Sequence, residues 1–162
     1  MVEHLTESTY LCRATTFTEG NIMDVLVLIA RIFFAYLFLM TAVGHLTQSK
    51  AMAGYAASKK IPFAQLSVLG SGVLILLGAL MVLFGVWGDL GALFVIVFLI
   101  PTAFLMHNFW TETDPQSKQM DMVHFNKDIA LAGGAFAFLV LFAYAGPHLG
   151  LTLTDPLFSI GR

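Results

Sequence analysis

Charged residues are scarce in this chain. Only 11% of its 162 residues are Asp, Glu, Lys or Arg, whereas 58% are hydrophobic and the mean hydropathy is +0.83. Soluble domains carry about 25% charged residues, so the deficit excludes that class and points to an integral membrane protein. A net charge of −2 supplies no field directed at nucleic acid. Cysteine is nearly missing too. Cys12 alone rules out an internal disulfide, a CxxC redox pair, and a cysteine-built zinc or iron–sulfur site. No histidine spacing matches a zinc signature such as HExxH, which argues against a metal. Any electrons this protein handles must sit on something it does not hold covalently. The opening MVEHLTESTYLCRATTFTEGNI also lacks the basic start and apolar run of a signal peptide. Composition therefore predicts a disordered polar tail over residues 1–23, a membrane domain over 24–149 and a C-terminal tail over 150–162.

Long apolar runs are what the chain does have. A helix needs about 20 such residues to cross a bilayer. Four candidates stand out: Val25–Val43 with Asp24 as its cap, Leu66–Val86, Leu90–Met106 and Ile129–Ala145. Gly70, Gly72, Gly78 and Gly85 punctuate the second, and Ala130 and Gly134 form a small-xxx-small pair in the fourth. Trp87 and Trp110 mark the two water boundaries. Pro101 leaves the Val97 carbonyl without its helical donor and predicts a kink. The fold class is thus an all-α, four-helix membrane bundle with interfacial helical segments in its two long loops. Four crossings put both termini on one side. The long-loop side carries Lys50, Lys59, Lys60, Lys118 and Lys127, against Arg13 and Arg162 on the other, with Arg31 inside the first span. The positive-inside rule then places the long loops in the cytoplasm and both termini outside.

The loop GHLTQSKAMAGYAASKKIP predicts an interfacial helix with Met52, Tyr55 and Ala56 on one face, ended by Pro62. Asp114-Pro115 is a helix start, and Asp114 and Lys118 are spaced for an ion pair. A helix from Pro115 to Ala145 would be roughly 46 Å long, more than the ~30 Å hydrocarbon core, so its first half must lie outside the hydrocarbon.

Few polar residues can carry chemistry. Arg31 is the most informative, because an ionised side chain in a membrane helix needs a partner or a watery route. Asp24 and Asp89 are its nearest carboxylate candidates. Either it snorkels to the headgroups, or it contacts an anion or a quinone carbonyl within the bundle. His45 follows on nearly the same face, about 40° away and roughly 21 Å along the axis, with Thr41 near that stripe. His107 ends the third span on the His45 side, and His124 and Asp128 stand i, i+4 on one helix face. Three histidines and a carboxylate can converge there as a proton route. The plainer reading has them solvated or structural.

GYAASKKIP after the first span, the small-residue-rich second span, and HNFW…HFNKDIALAGG between the third and fourth together resemble the DoxX family of small prokaryotic membrane proteins. Arg31 in LIARIFF and the GHL at residues 44–46 fit that family's first helix. The resemblance covers about residues 24–147. It departs at Asp128, where the family tends to have asparagine. The resemblance implies a four-helix bundle. Since relatives include the small membrane subunit of thiosulfate:quinone oxidoreductase, it also implies a place beside the quinone pool of a prokaryotic cell membrane.

Three functions follow as expectations. The first is an accessory subunit of a quinone-linked oxidoreductase, anchored in the lipid bilayer beside other protein subunits. It has no catalytic residue of its own; Arg31, His45, His107, His124 and Asp128 are candidates for contacting quinone or moving protons. The second is a structural or assembly subunit without chemistry. The third is a small transporter or lipid-binding protein, for which four short spans leave little room.

Overall fold

In the computed structural model the described backbone covers residues 2–160, and side chains are described from Ile22 onward. Five helices follow one another: α1 (Val2–Thr47), α2 (Ser49–Ser58), α3 (Ala64–Phe84), α4 (Gly88–Met106) and α5 (Pro115–Ala145). Four segments are long and apolar enough to cross a membrane: Ile22–Thr47, Ala64–Phe84, Gly88–Thr111 and Pro115–His148. The chain is therefore an all-α, multi-pass membrane protein, as its apolar runs require.

The polar stretch expected as a disordered tail continues α1 instead. It contains no proline and one glycine, so nothing interrupts propagation from the established membrane helix. Asp24 consequently lies inside α1 and does not cap it. The link between α3 and α4 is Gly85, Val86 and Trp87, with Gly88 and Asp89 already helical. Asp114 does cap α5: its Oδ2 accepts from the Ser117 amide at 2.8 Å, with Pro115 in the first turn. Hydrogen bonds from Ser117, and then from the Gln116 amide, hold its carboxyl below the usual carboxylate range. The expected Asp114–Lys118 ion pair does not form among the described residues.

The helices pack in the order α1, α3, α4, α5, with α2 lying on α3. Phe34 of α1 meets Phe138 of α5 at 4.9 Å between ring centroids and closes the bundle. Lipid drives no apolar burial, so close packing of small residues must hold such helices together. Ala35, Ala79, Ala103 and Ala135 accordingly lie fully inside. A Cβ on Gly78 would come within 2.9 Å of the Gly91 carbonyl oxygen, so α3 and α4 touch backbone to backbone. The expected Ala130–Gly134 seam is not used. Ala130 is exposed, and Ala132 and Ala135 face the core. Outward-facing Phe33, Tyr36, Leu66 and Tyr144 remain exposed for contact with acyl chains.

Helix α2 ends before Pro62. Lys60 adopts a left-handed conformation (φ 62°), the Lys60 amide donates to Ala57 and the Ile61 amide to Ala56. This pair of bonds closes a helix C-terminus in a Schellman turn. At the opposite end of the bundle, residues 149–160 fold back over the α3–α4 link. Leu153 donates to the Phe84 carbonyl, Thr154 to that of Gly85, and Ile160 to that of Ala143.

Candidate functional site

Arg31 is fully buried, near the end of the bundle that the C-terminal segment covers. Its Nε donates to the Val82 carbonyl at 2.8 Å, one terminal nitrogen to Leu151 at 2.8 Å and the other to Leu83. Val82 and Leu83 belong to the last turn of α3, whose carbonyls lack helical donors and form the negative end of the helix dipole. The guanidinium also lies 5.7 Å from the Phe142 ring. Arg31 therefore does not snorkel, and it lines neither of the two cavities described below. It ties α1 to the end of α3 and to the C-terminal segment. The two carboxylates considered as its partners serve that same segment. Asp24 accepts from the Gly150 amide at 2.9 Å, and buried Asp89 accepts from Phe158. The other Asp89 oxygen has no hydrogen-bond partner among the described residues. Its place in the first turn of α4 lets the positive end of that helix offset the charge.

A cavity of about 490 Å³ opens at the other end, between α1, α2, α3, α4 and α5. Its walls are mostly apolar, with Phe38, Leu74, Phe98 and Leu131 among them. Leu37, Val97, Pro101 and Leu105 line it and are also exposed on the outer surface, so it opens sideways toward the hydrocarbon. Met52, Tyr55 and Ala56 of α2 form its floor with one shared face, as their spacing predicts. Pro101 and Val97, the residue whose carbonyl the proline leaves without its helical donor, both line it.

His45 enters the cavity from α1. Its Nδ1 lies 2.9 Å from Ser71 Oγ and 3.3 Å from the Val68 carbonyl. Ser71 donates its own proton to that carbonyl at 2.9 Å. A carbonyl can only accept, so the consistent assignment has Nδ1–H donating and Nε2 left as an acceptor. Gly72 makes this fit possible, since a Cβ there would stand 2.9 Å from the His45 Cβ.

His107, at the C-terminal end of α4, reaches the same cavity with Asp128. Its Nε2 is 3.7 Å from Asp128 Oδ2 and its Nδ1 is 3.5 Å from Asp121 Oδ1. Asp121 in turn accepts from Lys59 at 2.8 Å, and Lys59 also reaches Glu112 at 2.7 Å and Asn108 at 3.1 Å. Burial acts to lower the Lys59 pKa, but its bonds to the Asp121 and Glu112 carboxylates outweigh that and hold it above the ordinary lysine range. Burial, and then the Asp121 charge, push the Tyr55 phenol up.

The histidines thus converge only in part. His124 stacks on His107 at 5.0 Å and approaches Lys127 at 3.3 Å, but it does not line the cavity. Asp128 pairs with His107 and Lys127, not with His124. Arg31 stands apart from all of them. Sequence reasoning missed Lys59, Ser71, Glu112 and Asp121. One signal was present: Asp121 and Asp128 are seven residues apart, two helical turns, and so share a face.

The fold and site define a small multi-pass membrane protein with a lipid-facing cavity, polar at its water-side end. Residues 26–108 match the DoxX family, slightly more than half of the chain, and the protein belongs to that family. The match takes in Arg31, His45 and His107 but stops before α5, so Asp121, His124 and Asp128 lie outside it. No curated protein and no solved structure matches the chain.

Proposed function

We propose that this protein is an accessory membrane subunit of a quinone-linked oxidoreductase in a prokaryotic cell membrane, and that its cavity holds the quinone head group. The single observation behind this reading is the sideways opening of an apolar cavity that is polar only near the water boundary. A lipid-soluble ring enters such a space from the acyl chains and leaves its tail among them, whereas a water-soluble substrate has no apolar requirement. His45 Nε2, left as an acceptor, takes a hydrogen bond from one hydroxyl of the reduced quinol, and the His107–Asp128 pair faces the other oxygen. The partner subunit carries the electrons. The lysine count supports an orientation with the long loops, and with them the cavity's polar end, at the cytoplasmic face.

The test is a titration of nanodisc-embedded protein with a short-chain ubiquinol or menaquinol analogue, the reduced form, followed by thermal shift. Saturable stabilisation is expected, and His45→Leu should weaken it by about tenfold, one hydrogen bond's worth at ~1.4 kcal/mol. Arg31→Lys should leave the affinity unchanged. Absence of saturation in the wild type would remove the quinone. A second reading then takes over, that of an assembly subunit without chemistry. It draws on α1, whose first 20 or so residues extend beyond the apolar window as a helix available for docking.

A further inference from the structure

His107 is held between two carboxylates that belong to different compartments. On one side, Asp121 lines an open cleft of about 510 Å³ together with Lys59, Glu112, Asp114 and Ser117. Several residues of that cleft are exposed, and it opens on the polar first half of α5, so it is water-facing. On the other side, Asp128 is 5% exposed and lines the apolar cavity. The imidazole presents Nδ1 to Asp121 at 3.5 Å and Nε2 to Asp128 at 3.7 Å. One ring therefore joins water to the buried cavity through both of its nitrogens. Tyr55 lines both spaces and stands at the wall between them.

We propose that Asp121, His107 and Asp128 form a proton path from the water-facing cleft to the apolar cavity, with Asp121 as the entry group. A proton from water in the cleft settles on Asp121. Asp121 passes it to His107 Nδ1, which makes the imidazolium. The imidazolium then gives its Nε2 proton to Asp128. One proton has moved from water to Asp128, Asp121 is a carboxylate again, and the ring is neutral in its other tautomer. Loss of the Nδ1 proton to water and uptake of one at Nε2 restore the starting tautomer before the next transfer.

The surrounding charges set the traffic. Lys59, just past the end of α2, binds Asp121 and favours its ionised form, so a proton dwells there only briefly before moving inward. Glu112 shares Lys59 but makes no contact with His107. On α5, His124 stacks on His107 and disfavours a long-lived imidazolium, while Lys127 lies 3.8 Å from Asp128. His45 faces the same cavity from α1 but takes its hydrogen bonds from α3. The path deepens the reading of the cavity as a quinone site, since quinone reduction consumes protons, but it is measured without ligand.

The experiment uses the full chain in nanodiscs, acidified rapidly from pH about 7 to about 4, across the carboxylate range. Time-resolved infrared spectroscopy follows the carbonyl stretch of protonated Asp128, assigned by its loss in Asp128→Asn. Rapid protonation is expected in the wild type. His107→Phe and Asp121→Asn should each slow it by at least about a hundredfold, the low end of what a positioned proton donor contributes. Glu112→Gln disturbs the same Lys59 cluster but lies off the path, so it should keep the wild-type rate. If His107→Phe leaves the rate unchanged, the path is overturned. If Asp121→Asn slows protonation no more than Glu112→Gln does, Asp121 is a structural partner of Lys59 and not the entry. Should His107→Phe fail to fold, His107→Gln and the Asp121 comparison decide the matter. The same samples titrated with a quinol analogue separate the two readings: an intact relay with no saturable quinol binding supports the path and removes the quinone.

Discussion

A guanidinium held by three backbone carbonyls differs from one held by carboxylates. Arg31 keeps its charge at any pH a protein survives, and its acceptors do not titrate. Its role therefore does not depend on pH, and it does depend on fork geometry. Val82, Leu83 and Leu151 lie on two separate segments, and the planar spread of donors reaches all three. Arg31→Met removes these charged hydrogen bonds and leaves buried acceptors without donors, at an expected cost of about 3–5 kcal/mol. Arg31→Lys keeps the charge but not the fork, and should recover less than half of that. Thermal or denaturant unfolding in a fixed detergent checks both. Equal stability of the lysine variant and the wild type would show that charge alone matters there. The sequence marks Arg31 as important but not why, because its partners are main-chain oxygens that every residue carries. A search for complementary side chains turns to Asp24 and Asp89, and those hold the 150–160 segment instead.

At the scale of elements, contact distance between helices decides more than hydropathy does. Gly91 is the sharpest case. A Cβ there would meet the Met81 Cβ at 2.6 Å and the Gly78 carbonyl oxygen at 2.9 Å. Gly91→Val should push α3 and α4 apart and destabilise the protein by about 1–3 kcal/mol, the range for overpacking. The matched substitution Gly70→Val should be near neutral, since nothing lies within 4 Å of that position. Side-by-side melting curves distinguish the two. The spans themselves are legible in the sequence because apolar run length alone encodes a crossing. Which glycines matter is not legible: Gly70 and Gly72 differ by two positions, yet one is exposed and the other presses on His45. The site divides in the same way. His45, His107 and Asp128 are visible as polar residues at the ends of apolar runs. Lys59 and Glu112 look like ordinary loop charges until α2 and the 107–114 connection are brought together. The helical first half of α1 escapes notice for another reason: composition describes solvation and not backbone continuity.

Across the whole molecule, the two ends of the bundle are closed by different means. The end covered by the C-terminal segment is fastened by the Arg31 guanidinium and by backbone amides of the 150–160 segment. The long-loop end is fastened by Lys59, which joins α2 to Asn108, Glu112 and Asp121. Only that second clamp depends on a group that loses its charge in alkali. The Lys59 pKa is raised in the folded protein, so its contribution is complete below the unfolded lysine value and is lost as pH rises through the folded value. Lys59→Met leaves Glu112 and Asp121 without their cation and should cost about 1–3 kcal/mol. The melting-temperature gap between wild type and Lys59→Met should hold constant from pH about 7 to about 10 and narrow only above that. The Tyr55 phenol, also raised, adds to alkaline destabilisation above pH about 10, and more so in Lys59→Met, where the lysine no longer acts to lower it, so the comparison is read below that pH. A gap that already narrows between pH 7 and 9 would mean the lysine is not held by those carboxylates. In that event α2 rests on its apolar contacts with Val68 and Met106 alone, and the wall between the water-facing cleft and the cavity has no ionic fastening.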